Sequence, residues 1–322
     1  MIKKKLKIGI LFGGKSAEHE VSINSASNVI KALNKNKYKI FPIKIAKNGK
    51  FDINFIKKMD VIFPVLHGPF GEDGSMQGLL KILEIPFIGP SVLGSAVSMD
   101  KDVTKRLMKE AGIVIGKFLT VQNGAKISYN EASKKLGKIM FIKPANLGSS
   151  VGIHKVKNTK EFLESLKDAL RYDSKIIIEE NIVGREIECS VLGNKNPKAS
   201  LPGEIISNAE FYSYNSKYID NKSVSKIPAD LPQKTIKEIQ KTAVKVFKTL
   251  ECEGMGRVDF FVTKNGKVLV NEINTLPGFT SISMYPKMWE ASGLPLPKLL
   301  DELINLAIER FDREKRLKTT VD

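Results

Sequence analysis

Residues Gly256 to Met284 read G-R-V-D-F-F-V-T-K-N-G-K-V-L-V-N-E-I-N-T-L-P-G-F-T-S-I-S-M. Two strand-like runs, Val258 to Thr263 and Lys267 to Ile273, flank Lys264-Asn265-Gly266. Asn-Gly between apolar runs is a strong short-range hairpin signal. The hairpin places Asp259 in the neighbourhood of Glu272 and Asn274. Those two residues, two apart on an extended segment, point to the same side. Two carboxylates and an amide oxygen make a hard-oxygen site suited to Mg²⁺ that also holds phosphates. A solvated hairpin is the alternative. Asp259 and Glu272 lie inside otherwise apolar strands, where unpaired charge is costly, and this favours the ligand site. Arg257 and Ser283 bracket the region, and Pro277-Gly278 turns the chain between them.

Upstream, Lys7 to Phe12, Tyr38 to Ile45 and Asp60 to Leu66 read as strands, with a helix to about Leu33 after the first. This β-α-β order argues for an open, mainly parallel sheet. Ligands bind such sheets beyond the carboxyl ends of the strands, where Glu18 and His67 fall. Gly9 to Ser16 matches the expression G-x-x-x-x-G-K-S. A phosphate cradle needs its variable positions in a loop. Here they begin Ile10-Leu11-Phe12, inside the strand, so a P-loop built on Lys15 is not expected. His67 to Ser75 forms a polar, glycine-rich loop, and Ile88-Gly89-Pro90-Ser91 marks a boundary.

Met99 to Ala111 reads as a helix capped by Asp100 or Ser98. Lys101 in its first turn opposes the helix dipole and hints at an anionic partner. Strands are expected over Ile139 to Pro144 and Val151 to Val156, joined by Ala145-Asn146-Leu147-Gly148-Ser149-Ser150. That loop offers amides, hydroxyls and the Lys143 ammonium to phosphates. Ile176 to Ile182 is an apolar strand ending in Glu179-Glu180. Gly184-Arg185-Glu186 follows, an arrangement suited to an adenine and its ribose. Glu210 to Asn221 is a long polar-aromatic loop of the kind that forms lids. Thr235 to Leu250 and Leu296 to Phe311 are amphipathic helices.

The chain has 322 residues, enough for two or three domains, with 42% apolar and 27% charged residues, ordinary for a soluble protein. No run is long enough to span a membrane. The basic start, Met1 to Lys5, runs into a short strand and not a signal-peptide core. Cys189 and Cys252 make neither a disulfide framework nor a metal cluster, so the cytoplasm is the default. The net charge of +17 raises the question of nucleic acid. The lysines are scattered and no aromatics interleave with them, so no nucleic-acid partner is expected.

Together the motifs G-G-K-S-A-E-H-E-V-S, H-G-P-F-G-E-D-G, S-M-D-K, K-P-A-N-L-G-S-S-V-G, E-E-N-I-V-G-R-E-I-E, Y-N-S-K-Y, G-R-V-D and N-E-I-N-T-L-P-G-F-T-S-I-S-M-Y-P resemble the ATP-grasp enzymes, and within them the D-alanine–D-alanine ligases. The resemblance covers nearly the whole chain. It implies a mixed α/β fold in three domains. These are an N-terminal Rossmann-like domain with an open parallel sheet (1–89), a central ATP-grasp domain (90–182) and a C-terminal ATP-grasp domain (183–322), with ATP sandwiched between the last two. It implies two Mg²⁺, with Mn²⁺ as a substitute, held by Asp259, Glu272 and Asn274.

Further roles follow from the resemblance alone. Lys101, Lys143, Ser149, Ser150 and Lys217 belong to the nucleotide site. Glu179, Glu180, the backbone at Ile182 and Glu186 hold adenine and ribose. Glu18 meets the ammonium of a first D-alanine, near His67. Arg257 and the Gly278 amide stabilise a tetrahedral oxyanion, while Ser283 and Met284 meet the second D-alanine. Glu18, Ser149 and Tyr218 form a hydrogen-bonded set under a lid. The Lys217-Tyr218 pair goes with dipeptide formation as opposed to depsipeptide formation. A homodimer is expected by resemblance. Another carboxylate–amine ligase of the same fold, a P-loop NTPase and a basic nucleic-acid-binding module are the rival readings.

Overall fold

The computed structural model describes residues 5–122, 125–148, 151–207, 223–318 and 321. The first layer is a parallel sheet of β1 (Leu6–Gly13), β2 (Tyr38–Ile45) and β3 (Val61–Val65), in the order β2-β1-β3. Helices α1 (His19–Ala32) and α2 (Ile53–Ile56) make the crossovers. The parallel sheet and its crossovers agree with the β-α-β reading. Gly9 lies within β1, and a Cβ there would stand 2.5 Å from Ile62 Cδ1. It is a packing glycine, and the Walker-like match is part of a strand. Lys15 lies over the Phe70 ring at 5.6 Å.

After β3 come α3 (Ser75–Ile82), α4 (Val92–Met99) and α5 (Lys101–Glu110). The single helix expected from Met99 to Ala111 is therefore corrected, because Met99 closes α4. Asp100 breaks the run with extended backbone, and its carboxylate accepts from the amides of Asp102 and Val103.

The second sheet is antiparallel, β4-β7-β5-β6, built from β4 (Phe118–Gln122), β5 (Met140–Pro144), β6 (His154–Val156) and β7 (Lys175–Glu180). Helices α6 (Tyr129–Leu136) and α7 (Thr159–Ala169) cover one face. The strand expected from Val151 starts only at His154. Gly152 turns with φ near +68°, and a Cβ there would meet Pro144 and Tyr172.

The third sheet holds β8 (Arg185–Gly193), β9 (Lys198–Ala199), β10 (Gly203–Ser207), β11 (Ser223–Lys226), β12 (Gly254–Val262) and β13 (Val268–Asn274). Between β11 and β12 lies α8 (Gln233–Thr249), whose Ile239, Ala243, Val246 and Phe247 are fully buried against Ile187, Cys189, Val258 and Phe260. Met108 of α5 and Ile113 join this same core.

The chain closes with α9 (Met284–Ala291) and α10 (Leu296–Lys315). The apolar stripe of α10, Leu299, Leu300, Leu303 and Ile304, packs on Ile8, Ile10, Val61 and Phe63 of the parallel sheet. The end of the chain thus covers its beginning and locks the first sheet to the third. Arg310 completes the seam, donating to the carbonyls of Gly89 and Phe87 from full burial.

Candidate functional site

Strand alternation builds the site. Opposed residues in a ladder share a face, as do residues two apart. In the second sheet, Lys143 opposes Ile177, Phe141 opposes Glu179, and Lys155 opposes Phe141. Lys143, Glu179, Phe141 and Lys155 therefore share one face, while Met140, Ile142, Ile176 and Ile178 fill the core on the other. In the third sheet Asp259 opposes both Glu272 and Glu188, and Arg257 opposes Asn274. Residues 263–267 form the hairpin turn, with the Gly266 amide donating to the Thr263 carbonyl. A bulge at Asn271 in β13 lets Glu272 face the site opposite Asp259 while Val270 faces the core opposite Phe260.

The two polar faces bound a cleft of about 560 Å³. Helix α5 contributes Lys101 and Lys105 to it, and the stretch from Glu179 to Glu188 runs along its wall. Lys101, Lys105 and Lys143 are all buried. Glu179 lies between two of them: Lys105 Nζ stands 2.6 Å from one of its oxygens, and Lys143 Nζ contacts the other. Burial alone would raise the Glu179 carboxyl, but these ammoniums outweigh it and hold it down to about 2. Burial lowers Lys101, although Glu272, 3.8 Å from its Nζ, opposes that shift. Lys101 also donates to the Leu147 carbonyl, in the loop after β5. Lys143 is raised, because Glu179 and Glu272 together overcome burial.

Arg257 grips Asp259 with two bonds of 2.7 Å and lies 3.0 Å from Glu188, while Asn274 donates to Asp259. Among the described residues no three His, Cys, Asp or Glu side chains gather as a metal cluster. The hairpin offers two carboxylates and an amide, Asp259, Glu272 and Asn274. These hard oxygens fit a Mg²⁺ whose remaining ligands are phosphate oxygens and water.

Beyond the carboxyl ends of β1 and β3 lies a second constellation. Ser22 ties the two strands, accepting from the Gly13 amide and donating to the Val65 carbonyl. Glu18 immediately precedes α1 and is buried beside Gly68. His67 is buried and pushed below its ordinary value, first by burial and against the pull of Glu18, with Arg257 adding to the lowering. Its Nδ1 bonds to the Leu276 carbonyl. Gly278 follows Leu276 by two residues, and a Cβ there would stand 2.8 Å from Ser283 Oγ. Ser283 also meets the Thr280 amide and hydroxyl, and Met284 is buried as α9 begins.

Arg257 thus links the cleft, through Asp259 and Glu188, to the charges acting on His67, Glu18 among them. A family model for the C-terminus of D-Ala–D-Ala ligases matches residues 107–305, and one for their N-terminus matches 7–55 and 52–90. The chain belongs to the D-alanine–D-alanine ligase family. A family member from Oceanobacillus iheyensis, named D-alanine–D-alanine ligase, is 46% identical over 98% of this chain and 99% of its own. D-alanine–D-alanine ligase A of Escherichia coli is 43% identical over 99% of this chain and all of its own. The solved D-alanine–D-alanine ligase of Coxiella burnetii superposes with a TM-score of 0.87 at 42% identity, covering 97% of this chain and 96% of that one. The Bacillus anthracis ligase complexed with ATP gives 0.84 at 32% identity, over 96% and 99%. The D-Ala:D-Ser ligase VanG of Enterococcus faecalis gives 0.83 at 36%, over 94% and 100%. These ligases have the ATP-grasp fold, in agreement with the fold expected from the motifs.

The structure brings Lys101, Lys143, Glu179, Glu180, Ile182, Glu186, Asp259 and Glu272 to one cleft, and sets Glu18 and Arg257 within electrostatic reach of His67. Glu180 is engaged by the Lys117 amide, and Glu179 by the two lysines. The expectations placed on Ser149, Ser150, Lys217 and Tyr218, and on the Glu210 to Asn221 lid, lie outside the described residues. Sequence reasoning missed Lys105 and Glu188, and singled out Glu72 only as one of two carboxylates in the loop after His67. Lys105 had a signal, since it is four residues from Lys101 and so on the same helix face. Glu72 accepts from the Gly68 amide and the Leu276 amide, joining two segments far apart in sequence.

Proposed function

We propose that this ATP-dependent ligase joins two D-alanines into D-alanyl-D-alanine for the peptidoglycan precursor, in the cytoplasm, through a D-alanyl phosphate. The chain would work as three units, 1–89, 90–182 and 183–322. The observation that carries the reading is the place of Arg257. Its guanidinium meets Asp259 and Glu188 at the nucleotide cleft, and its field reaches His67 in the Glu18 pocket. One cation therefore stands where a phosphoryl donor and a carboxylate acceptor would meet.

Phosphoryl transfer needs positioning and charge neutralisation more than a covalent nucleophile. Lys101 and Lys143 would take the phosphates, while Glu179, Glu180, the backbone at Ile182 and Glu186 hold adenine and ribose. Glu18 would pair with the ammonium of the first D-alanine, whose carboxylate oxygen accepts the γ-phosphoryl group as ADP leaves. The amine of the second D-alanine then attacks the acyl carbon, and phosphate leaves with that oxygen. Arg257 and the Gly278 amide would hold the oxyanion of this step. Ser283 and Met284 would receive the second D-alanine. Bound Mg²⁺ at Asp259, Glu272 and Asn274 would supply charge neutralisation on the phosphates. Ser149, Ser150, Lys217 and Tyr218 enter only by resemblance, as cover for the acyl phosphate and as the basis for preferring D-alanine over D-lactate. A homodimer likewise rests on resemblance.

The likeness to VanG adds D-serine as an acceptor to compare. The test is phosphate release from ATP and Mg²⁺ with D-alanine, L-alanine, D-lactate, D-serine or no amino acid, with products identified by mass. D-alanine alone is expected to give release and D-alanyl-D-alanine. Equal turnover with L-alanine would overturn the assignment.

A further inference from the structure

Lys105 is one helical turn beyond Lys101 and is only 3% exposed. Each direction its ammonium can use is already occupied. Glu179 Oε1 lies at 2.6 Å, the Asn271 carbonyl at 3.4 Å, and the Phe118 ring centre at 5.9 Å. The other oxygen of Glu179 belongs to Lys143. Glu179 is thus set between two ammoniums, Lys105 and Lys143, while Glu272 stands by Lys101. Without Lys105, Lys143 would be the only ammonium in contact with Glu179 among the described residues.

We infer that Lys105 is a positioning residue for nucleotide binding: by neutralising Glu179 from one side, it frees the charge of Lys143 for the phosphates of ATP. The inference rests on the ATP-dependent reading of the cleft. A buried carboxylate that loses its only counter-ion is strongly penalised. A phosphate drawing on Lys143 would impose that penalty if Lys105 were absent. With Lys105 in place, Glu179 keeps one full ion pair whatever Lys143 does. The arrangement also joins α5, β7 and the β12–β13 hairpin at a single ammonium, so the counter-ion is fixed before the nucleotide arrives.

The test is nucleotide affinity by calorimetry with Mg·ATP, and with adenosine by ligand-observed NMR, in the absence of D-alanine. Wild-type protein that fails to bind Mg·ATP would defeat the reading of the cleft itself. If wild type binds, Lys105→Met is expected to weaken Mg·ATP by about tenfold or more. Adenosine, which draws on Glu179 but makes no demand on Lys143, should lose less affinity than Mg·ATP does. Lys105→Arg should stay within about threefold of wild type, since the charge is kept. In a Lys143→Met background the further change Lys105→Met should cost less for ATP than it does in wild type.

Equal losses for ATP and adenosine would mean that Lys105 only packs the wall, and would overturn the inference. Additive losses in the double variant would mean that Lys105 itself touches phosphate, and would overturn it too. Should Lys105→Met not fold, as judged by circular dichroism, Lys105→Gln keeps an N–H donor toward Glu179 without the charge, and its ATP-to-adenosine ratio decides in the same way.

Discussion

His67 donates its Nδ1 hydrogen to the carbonyl of Leu276 across 3.0 Å. A carbonyl can only accept, so the neutral ring carries its hydrogen on Nδ1 and presents Nε2 as an acceptor. That nitrogen is buried with no hydrogen-bond partner among the described residues. The same residue is held on its other side, where the Leu276 amide donates to Glu72. The loop after β3 therefore grips the segment that carries Gly278.

Glu72 should leave a mark on stability. Burial, with Glu18 adding to it, pushes its carboxyl up to about 8, above an unfolded value of 4.5. A carboxyl raised on folding contributes fully below its unfolded pKa, and the contribution is lost as pH rises through the folded one. Wild type should therefore lose stability between these values, by up to about 1.4 kcal/mol per pH unit. Glu72→Gln should flatten that slope when Tm is followed from about pH 5 to 8. An unchanged slope would mean that Glu72 is ionised in the fold.

Gly278→Ala should harm catalysis more than folding. The new methyl would stand 2.8 Å from Ser283 Oγ, and Ser283 is tied to Thr280. Overpacking of this kind costs about 1–3 kcal/mol, here spent on displacing groups that meet the second substrate. We expect kcat/KM for the second D-alanine to fall about tenfold or more, with Tm lowered by only a few degrees. Kinetics equal to wild type would remove Gly278 and Ser283 from the acceptor site.

Lys143→Met should separate the two substrates. Loss of one preorganised cation at developing charge costs about 10²–10³ in rate. We expect that loss in kcat/KM for ATP, with KM for the first D-alanine almost unchanged. An equal loss for both would point to collapse of the cleft wall.

Leu300→Ala tests the seam between the first and third sheets. Leu300 is fully buried among Ile8, Val61 and Tyr285. Its truncation should destabilise by about 2–5 kcal/mol in denaturant unfolding, since the site cannot collapse freely between two sheets. A change below about 0.5 kcal/mol would show that α10 is not integral to the core.

How much of this was legible in the sequence depended on the range of the interaction. The hairpin was legible because Asn265-Gly266 is a local turn signal, and the pairing of Asp259 with Glu272 follows from it. The parallel sheet was legible from β-α-β order, and the Walker-like match could be rejected because Gly9 sits inside apolar residues. Boundaries were less legible where one residue decided them, as with Gly152 before β6 and Asp100 between α4 and α5. The least legible features join distant segments. Nothing local to α10 says that its stripe packs on β1 and β3, and nothing near Glu72 announces Leu276. Roles in the site came from the ordered set of motifs, since a lone Lys101 or Glu179 reads as an ordinary surface residue.

The most direct test of the central claim is the fate of a carboxylate oxygen. D-alanine labelled with ¹⁸O in its carboxyl group would be turned over with ATP and Mg²⁺, and the released phosphate analysed by mass. Transfer of the γ-phosphoryl to that carboxylate, followed by attack of the second amine, predicts one ¹⁸O in the phosphate for every D-alanyl-D-alanine formed. Unlabelled phosphate would mean that the phosphoryl group goes to water, and would contradict the acyl-phosphate route on which the roles of Glu18, Arg257 and Gly278 depend.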